Sequence, residues 1–223
     1  MKKTFLKILK IILISIVVIH LFIIVFVAIS SLFLRFFNPP ITGVEIYRRV
    51  FFKYKVKKHK YVSVKKLSGF VPRMLIAVED YKFYKHNGID FEAIENARKI
   101  NARIGINMFG GSTLTQQVAR TLFLNPDKNF IRKYIEIIIA VEMDFLIPKK
   151  RILELYINYA EWGKGIFGIE NASLSYFKKS AVYLTKEEAA RLLTILSSPI
   201  RYTPYNFHKR DFLLQRYNFL MSL

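Results

Sequence analysis

An uninterrupted apolar run near the start restricts this chain more than any other feature. From Ile11 to Leu34 no side chain carries a permanent charge, and His20 is the only titratable one. At about 1.5 Å per residue a helix of this length measures roughly 36 Å, enough to cross a hydrocarbon core of about 30 Å. Lys2, Lys3, Lys7 and Lys10 precede it. Basic flanks of this kind stay on the cytoplasmic side. The expectation is a cytoplasmic tail (1–10), a single transmembrane helix (11–34) and an exported remainder. Arg35 and the basic stretch beyond it pull against that orientation. A cleaved signal peptide would have a shorter apolar region, about 7–15 residues, closed by a small-residue site. Ala28-Ile29-Ser30 is a weak candidate for such a site, so a retained anchor is the reading taken.

Pro39-Pro40 stops the helical pattern, because proline cannot continue a helix. Residues 35–66 then read as a basic juxtamembrane linker. Ile46–Lys66 holds Arg48, Arg49, Lys53, Lys55, Lys57, Lys58, Lys60, Lys65 and Lys66 and no acid. Two readings stand side by side: a solvated linker or edge strand, and attraction to anionic lipid head groups worth about 1 kcal/mol per basic residue. Tyr54-Lys55-Val56-Lys57 alternates as a strand does. The net charge is +20. Charge of this sign supports anion binding of many kinds, but no nucleic-acid-binding motif is present, so no nucleic-acid partner is expected. Cysteine is absent, which excludes a disulfide framework, a thiolate metal site and a thiol nucleophile.

Residues 67–223 read as one mostly α domain. Asp90 can cap a helix carrying Phe91, Ile94, Ala97 and Ile100, and Thr113 with Gln116 fits a capping box. Asp127 is positioned to cap a long helix with Ile131, Ile135, Ile138, Val141 and Phe145 on one face, ended before Pro148. A helix follows from about Lys149 to Tyr159. Thr185 and Glu188 form a second capping box, opening a helix through Leu192, Leu193 and Leu196.

Three clusters have chemical content. Glu79 and Asp80 close an apolar helix before the turn signal Asn87-Gly88. A partly desolvated carboxylate there suits general base work, although a surface acid pair has the same spacing. Gly110-Gly111-Ser112-Thr113 enters a helix, where backbone N–H groups make either an anion site or an ordinary capped start. No Gly-Lys-Ser/Thr follows, so this is not a P-loop. Arg132 and Glu136 share a helix face, with Arg120 and Lys128 near in sequence. They form either a diphosphate-binding wall or a routine surface pair. Gly163-Lys164-Gly165-Ile166-Phe167-Gly168 spells a dinucleotide pattern, but a helix precedes it where that motif needs a strand, so it reads as a turn.

Taken in order, these clusters resemble the family 51 glycosyltransferases. Glu79-Asp80, Phe83, His86-Asn87-Gly88 and Asp90 are similar to the family's first motif, and Gly110 to Gln117 to its second. Arg132-Lys133 and Glu136 resemble the third, and Ile152 to Asn158 the fourth, with similarity continuing through Gly168-Ile169, Ala172, Tyr176-Phe177 and Ala189-Ala190 to Pro199. The resemblance implies a mainly α, lysozyme-like catalytic domain behind the anchor. With the sequence ending at Leu223 it points to the monofunctional members. It implies polymerisation of lipid II onto a growing lipid-linked glycan strand at the outer face of a bacterial cytoplasmic membrane, with inversion and release of undecaprenyl diphosphate. Glu79 would be the general base and Glu136 would assist the leaving diphosphate, directly, through a metal or through a basic partner. Ser112, Gln116 and Gln117 would hold donor sugar and phosphate, and Arg120, Lys128, Arg132 and Lys133 would offset the diphosphate charge. Asp80, Phe83, His86, Gly88 and Thr113 complete the expected substrate-binding set. The resemblance demands no cofactor and allows a divalent cation, Mg or Mn, at the diphosphate; it also allows other cell-wall synthesis proteins as partners. Two positions depart from the family pattern: Lys178 stands where a glycine is usual, and Lys128 where an arginine is.

Two other functions fit parts of the sequence. A lytic enzyme of lysozyme-like fold would also use a glutamate, but a neutral glycan gives the basic residues no anionic leaving group. A non-catalytic basic membrane protein would leave the placed carboxylates without a purpose.

Overall fold

A computed structural model describes residues 2–105 and 110–223. The longest element is α1, Lys2–Phe36, which is apolar and long enough to cross a membrane. Its second half is not free. His20 Nε2 lies 3.0 Å from the Tyr134 hydroxyl, the Phe26 ring meets Phe123 edge-on, and Val27, Ser31 and Leu34 are buried. Arg151 donates to the carbonyls of Leu34 and Phe37 and so ties the end of α1 to the body.

The basic stretch does not form a free linker. Residues Gly43–Phe52 form α2, capped by Thr42 and packed on the fifth helix with Val44 and Glu45 buried. Lys53 is left-handed, and residues 54–63 join no sheet, so the alternation at Tyr54–Lys57 produces no strand. A backbone bond from the Lys57 N–H to the Gly165 carbonyl and several side chains hold that segment. Asn158 accepts from the Val62 N–H and donates to the Val62 carbonyl, both at 2.9 Å, replacing a strand partner.

The remaining helices are α3 (Phe70–Glu79), α4 (Phe91–Ile104), α5 (Leu114–Phe123), α6 (Phe130–Leu146), α7 (Lys149–Tyr159), α8 (Ile169–Tyr176), α9 (Lys186–Ile195) and α10 (Asp211–Ser222). Helix α7 is the central element. Ile152, Leu153, Leu155, Tyr156, Ile157, Asn158 and Tyr159 are all buried, as expected of a helix enclosed on every side. Helix α5 packs on both α6 and α7, α3 on α9, and α9 on α10. The glycine-rich segment is a two-stranded antiparallel hairpin, β1 (Glu161–Gly163) and β2 (Ile166–Phe167), turning at Gly165 with φ +70°.

Asp90, Thr113 with Gln116, and Thr185 with Glu188 cap their helices as the sequence predicts. Asp127 does not. Asn129 is the cap of α6, and Asp127 accepts a hydrogen bond from the Tyr47 hydroxyl of α2 at 2.6 Å. The buried face of α6 also differs from the expected one. Glu136, Ile139, Ala140 and Met143 face the core, while Ile131, Val141 and Phe145 are exposed. Helix α6 is apolar almost all round, so periodicity alone does not select its inner face. Lys178 takes φ +60°, the left-handed conformation a glycine would adopt, so the turn is kept despite the substitution.

Candidate active site

Glu79 is the last residue of α3 and Asp80 its C-cap. The chain leaves the helix there, so two consecutive carboxylates point in different directions. Asp80 turns inward and accepts from His86 Nε2 at 2.9 Å and from the Leu114 N–H, the first residue of α5, at 2.8 Å. It therefore joins the first motif to the second. Lys149 lies over the buried Phe83 ring at 4.8 Å, approaches His86 Nδ1 at 3.5 Å and donates to Asp144, which also accepts from Thr115. The Thr113 hydroxyl donates to the Gly88 carbonyl at 2.7 Å. Gly88 has φ +85°, and a Cβ there would stand 2.7 Å from the Ala140 carbonyl oxygen, so the close pass of this turn over α6 requires glycine. Gln116 is fully buried, with its Oε1 accepting from the Thr113 N–H. These six expected binding residues (Asp80, Phe83, His86, Gly88, Thr113, Gln116) make contacts that join the first motif to the second.

Glu79 turns outward. Its Oε2 accepts from Gln117 Nε2 at 3.0 Å, and its Oε1 pairs with Arg216 of α10. Gln117 Oε1 accepts from the Tyr156 hydroxyl at 3.0 Å. Burial, with the charge of Glu79, raises the Tyr156 phenol well above its ordinary range, so it stays a donor. An ionised Glu79 accepts only, which fixes the orientation of the Gln117 amide between the two.

The third motif is assembled around Glu136, which is wholly buried on α6. Lys133 donates to its Oε1 at 2.6 Å, Arg132 bonds its Oε2, and Arg120 of α5 stands 3.8 Å from the same oxygen. Three cations on one carboxylate leave an excess of positive charge. Lys133 also donates to Ser112 Oγ at 2.8 Å, which brings the second and third motifs together. Arg132 Nε is a buried donor without a partner, as is Gln116 Nε2. The donor set does not fit a divalent cation on Glu136, because its oxygens already face Arg120, Arg132 and Lys133. Among the described residues no group of three His, Cys, Asp or Glu side chains is gathered anywhere.

Two cavities lie near Glu79, one touching it and one reached through Gln117. One, about 220 Å³, is lined by Glu79, Asp80, Asp90, Ser112 and the α4 stripe at Ala97 and Ile100. The apolar residues of α4 thus wall a cavity more than they fill a core. The other, about 460 Å³, lies beyond Gln117 and is lined by Arg48, Arg120, Lys128 and Arg201 with Tyr156 and Glu161. Glu161 pairs with Arg48 at 2.9 Å; burial raises its carboxyl and the arginine partly offsets that. Of the site residues singled out in the sequence, Glu79 and Ser112 line the first cavity and Gln117, Arg120 and Lys128 the second, while Arg48, Tyr156 and Arg201 at the second and Arg216 beside Glu79 were not singled out. Arg216 left one signal, a charge set between Leu213 and Leu220 on the apolar stripe of the last helix.

Comparison with known proteins agrees with this geometry. A family model described as transglycosylase matches residues 46–222. A biosynthetic peptidoglycan transglycosylase of Herminiimonas arsenicoxydans is 42% identical over 164 residues, covering 71% of each chain. One from Shewanella frigidimarina is 43% identical over 172 residues, covering 77% of this chain and 74% of the relative. One from Marinomonas sp. is 43% identical over 178 residues, covering 80% and 76%. With an apolar anchor helix, a mainly α catalytic body and the ordered motifs around Glu79 and Glu136, the chain belongs to the peptidoglycan transglycosylase family of glycosyltransferases.

Proposed function

We propose that this enzyme polymerises lipid II into glycan strands, with Glu79 as general base. The observation that carries the reading is that Glu79 lines an acid-rimmed cavity and is joined through Gln117 to the wall of a strongly basic one. The first suits the uncharged acceptor sugar and the second the diphosphate of the donor. The 4-hydroxyl oxygen of the acceptor's N-acetylglucosamine attacks the anomeric carbon at the reducing end of the growing strand. Its proton passes to Glu79, the bond from the anomeric carbon to the phosphate oxygen breaks, and undecaprenyl diphosphate leaves with inversion. Arg120, Lys128, Arg132 and Lys133 offset the charge that develops on the leaving group, which is the dominant electrostatic contribution in transfers of this kind. Glu136 acts through its basic partners by holding Arg120, Arg132 and Lys133 in one array. Gln117, held by Tyr156, borders the donor side, and Ser112, held by Lys133, stands on the wall of the acceptor cavity. The six residues that join the first two motifs act by placing these groups.

The remaining parts of the reading concern location. Residues 1–10 form the cytoplasmic tail, 11–34 span the membrane, 35–66 are the basic juxtamembrane stretch and 67–223 the catalytic domain on the outer face. Both substrates keep their lipid tails in the bilayer, and other cell-wall synthesis proteins are candidate partners. The basic cavity favours polymerisation over glycan cleavage, because a neutral strand has no use for it. Incubating the purified protein with lipid II and, separately, with purified sacculi tests this; the expected outcome is polymer from the first and no soluble fragments from the second. Glu79→Gln should abolish polymerisation while leaving the protein folded and membrane-bound. Turnover near that of the unaltered protein would remove Glu79 from the role of base.

A further inference from the structure

Arg216 lies 137 residues from Glu79 in sequence, on the last helix, and meets it in space. Helix α10 is fixed by Leu213 and Leu220, both fully buried, and by Lys186, which donates to the Met221 carbonyl at 3.0 Å. Arg216 sits on the same face between those two leucines. Its Nε and Nη2 both reach the Leu193 carbonyl of α9, at 3.4 and 3.2 Å, and Nη2 continues to Glu79 Oε1. The guanidinium thus bridges the end of α9 to the carboxylate at the end of α3. The pair is largely shielded from solvent, with side-chain exposures of 17% and 12%.

We propose that Arg216 is a positioning residue for polymerisation, fixing the rotamer of Glu79 and keeping its carboxylate aimed at the acceptor hydroxyl. The proposal rests on the reading of Glu79 as base. A base must present a free lone pair within about 2.6–3.2 Å of the proton it takes. A carboxylate has about four acceptor sites. Arg216 takes one on Oε1 and Gln117 one on Oε2, which prevents rotation of the group and leaves lone pairs for the proton. The other charged or titratable neighbours are Arg120 on α5, which faces Glu136, Tyr156 on α7, which donates to Gln117, and Asp80, which is occupied by His86 and the Leu114 N–H. Arg216 is the ion-pair partner of Glu79 among the described residues. The fork grips the Leu193 carbonyl through both Nε and Nη2 while Nη2 holds Glu79; a lysine keeps the charge and offers one nitrogen on a flexible stem in place of this rigid grip.

The test uses the full-length protein in detergent with lipid II, comparing kcat and KM of Arg216→Gln, Arg216→Lys and Glu79→Gln with those of the unaltered protein. Arg216→Gln should lower kcat about a hundredfold with KM for lipid II little changed, because the carboxylate loses the contact that fixes its rotamer. Arg216→Lys should lower kcat about tenfold, again with KM little changed. If Arg216→Gln does not fold, the kcat-against-KM split in Arg216→Lys decides alone. Kinetics that superimpose on the unaltered protein, or a defect confined to KM, each overturn the proposal. Glu79→Gln separates the two ideas. If it is inactive while the Arg216 variants are normal, only the role of Arg216 fails; if it is active, the base assignment itself fails.

Discussion

Replacing Asp80 by Asn removes one charge and turns one acceptor into a donor. In the folded protein the Asp80 carboxylate is 7% exposed and accepts from the Leu114 N–H at 2.8 Å and from His86 Nε2 at 2.9 Å. Both bonds converge on Oδ2, and Oδ1 stands 3.1 Å from His86 Nε2, so an asparagine that keeps its oxygen at Oδ2 turns its NH2 toward His86, and one that flips turns it toward the Leu114 N–H. A hydrogen bond to a charged acceptor contributes about 1.5–3 kcal/mol, and a negative charge at the start of α5 adds about 0.3–1 kcal/mol. Allowing for the contact the remaining oxygen keeps, the expected cost is about 3 kcal/mol. For a chain of this size that corresponds to a fall of about 6–12 °C in Tm. Trp162 is the single tryptophan and is fully buried, so its fluorescence follows unfolding without a label. The assay is thermal melting of the full-length protein in one detergent, together with lipid II polymerisation well below the melting range. Asp80→Asn should melt earlier and keep measurable activity in the cold. A melting temperature within about 2 °C of the unaltered protein, with activity gone, would refute the reasoning. Asp80 would then be a substrate contact and not a link between the motifs.

Lys178→Gly should raise Tm by about 2–4 °C in the same melting assay, because a left-handed conformation costs a residue with a Cβ about 1 kcal/mol; no change would mean the turn is relaxed by its surroundings. Burial raises the Glu142 carboxyl, whose Oε2 has no partner, so its ionisation costs the folded state more than the unfolded one. Stability is therefore lost as pH rises from the ordinary carboxyl range through the raised value, and Glu142→Gln should melt above the unaltered protein at about pH 7.5 with the difference closing near about pH 4. An equal difference at both pH values would assign the effect to packing. His20→Leu and Tyr134→Phe, alone and together, should show a coupling of about 0.6 kcal/mol, typical of hydrogen bonds between helices in membranes; additive effects would mean that α1 is held by its apolar contacts alone.

Much of this architecture is legible locally. Asp90, Thr113 with Gln116, and Thr185 with Glu188 announce their helices because a cap acts over three residues, and Pro148 and the apolar spacing bound α7. What a residue does in the site is less local. Phe83 and Gly88 read as substrate contacts from the motif pattern, and nothing local shows that Lys149 lies over the Phe83 ring or that Thr113 bonds the Gly88 carbonyl. Asn129 and Asp127 are equally good caps, and the choice fell to Tyr47, which claims Asp127 from a distant helix. The pairing of Arg216 with Glu79 is set by the packing of α10 on α9 and α3, so no window of sequence contains both.

The docking of α1 on α6 determines how deep this protein sits. Of the apolar run, only Ile11–Ile19 lies before the first contact at His20, and that stretch rises about 13 Å. A hydrocarbon layer is about 30 Å thick. If α1 crosses it, most of the layer's outer half must lie beside residues that are already packed against the catalytic body. The exposed Phe130 and Ile131 at the start of α6 then have lipid tails as their solvent. In the proposed function the anchor then works as a depth gauge, giving the cleft one height and one heading over the bilayer, so that a lipid-borne sugar would arrive by sliding sideways with its tail still dissolved.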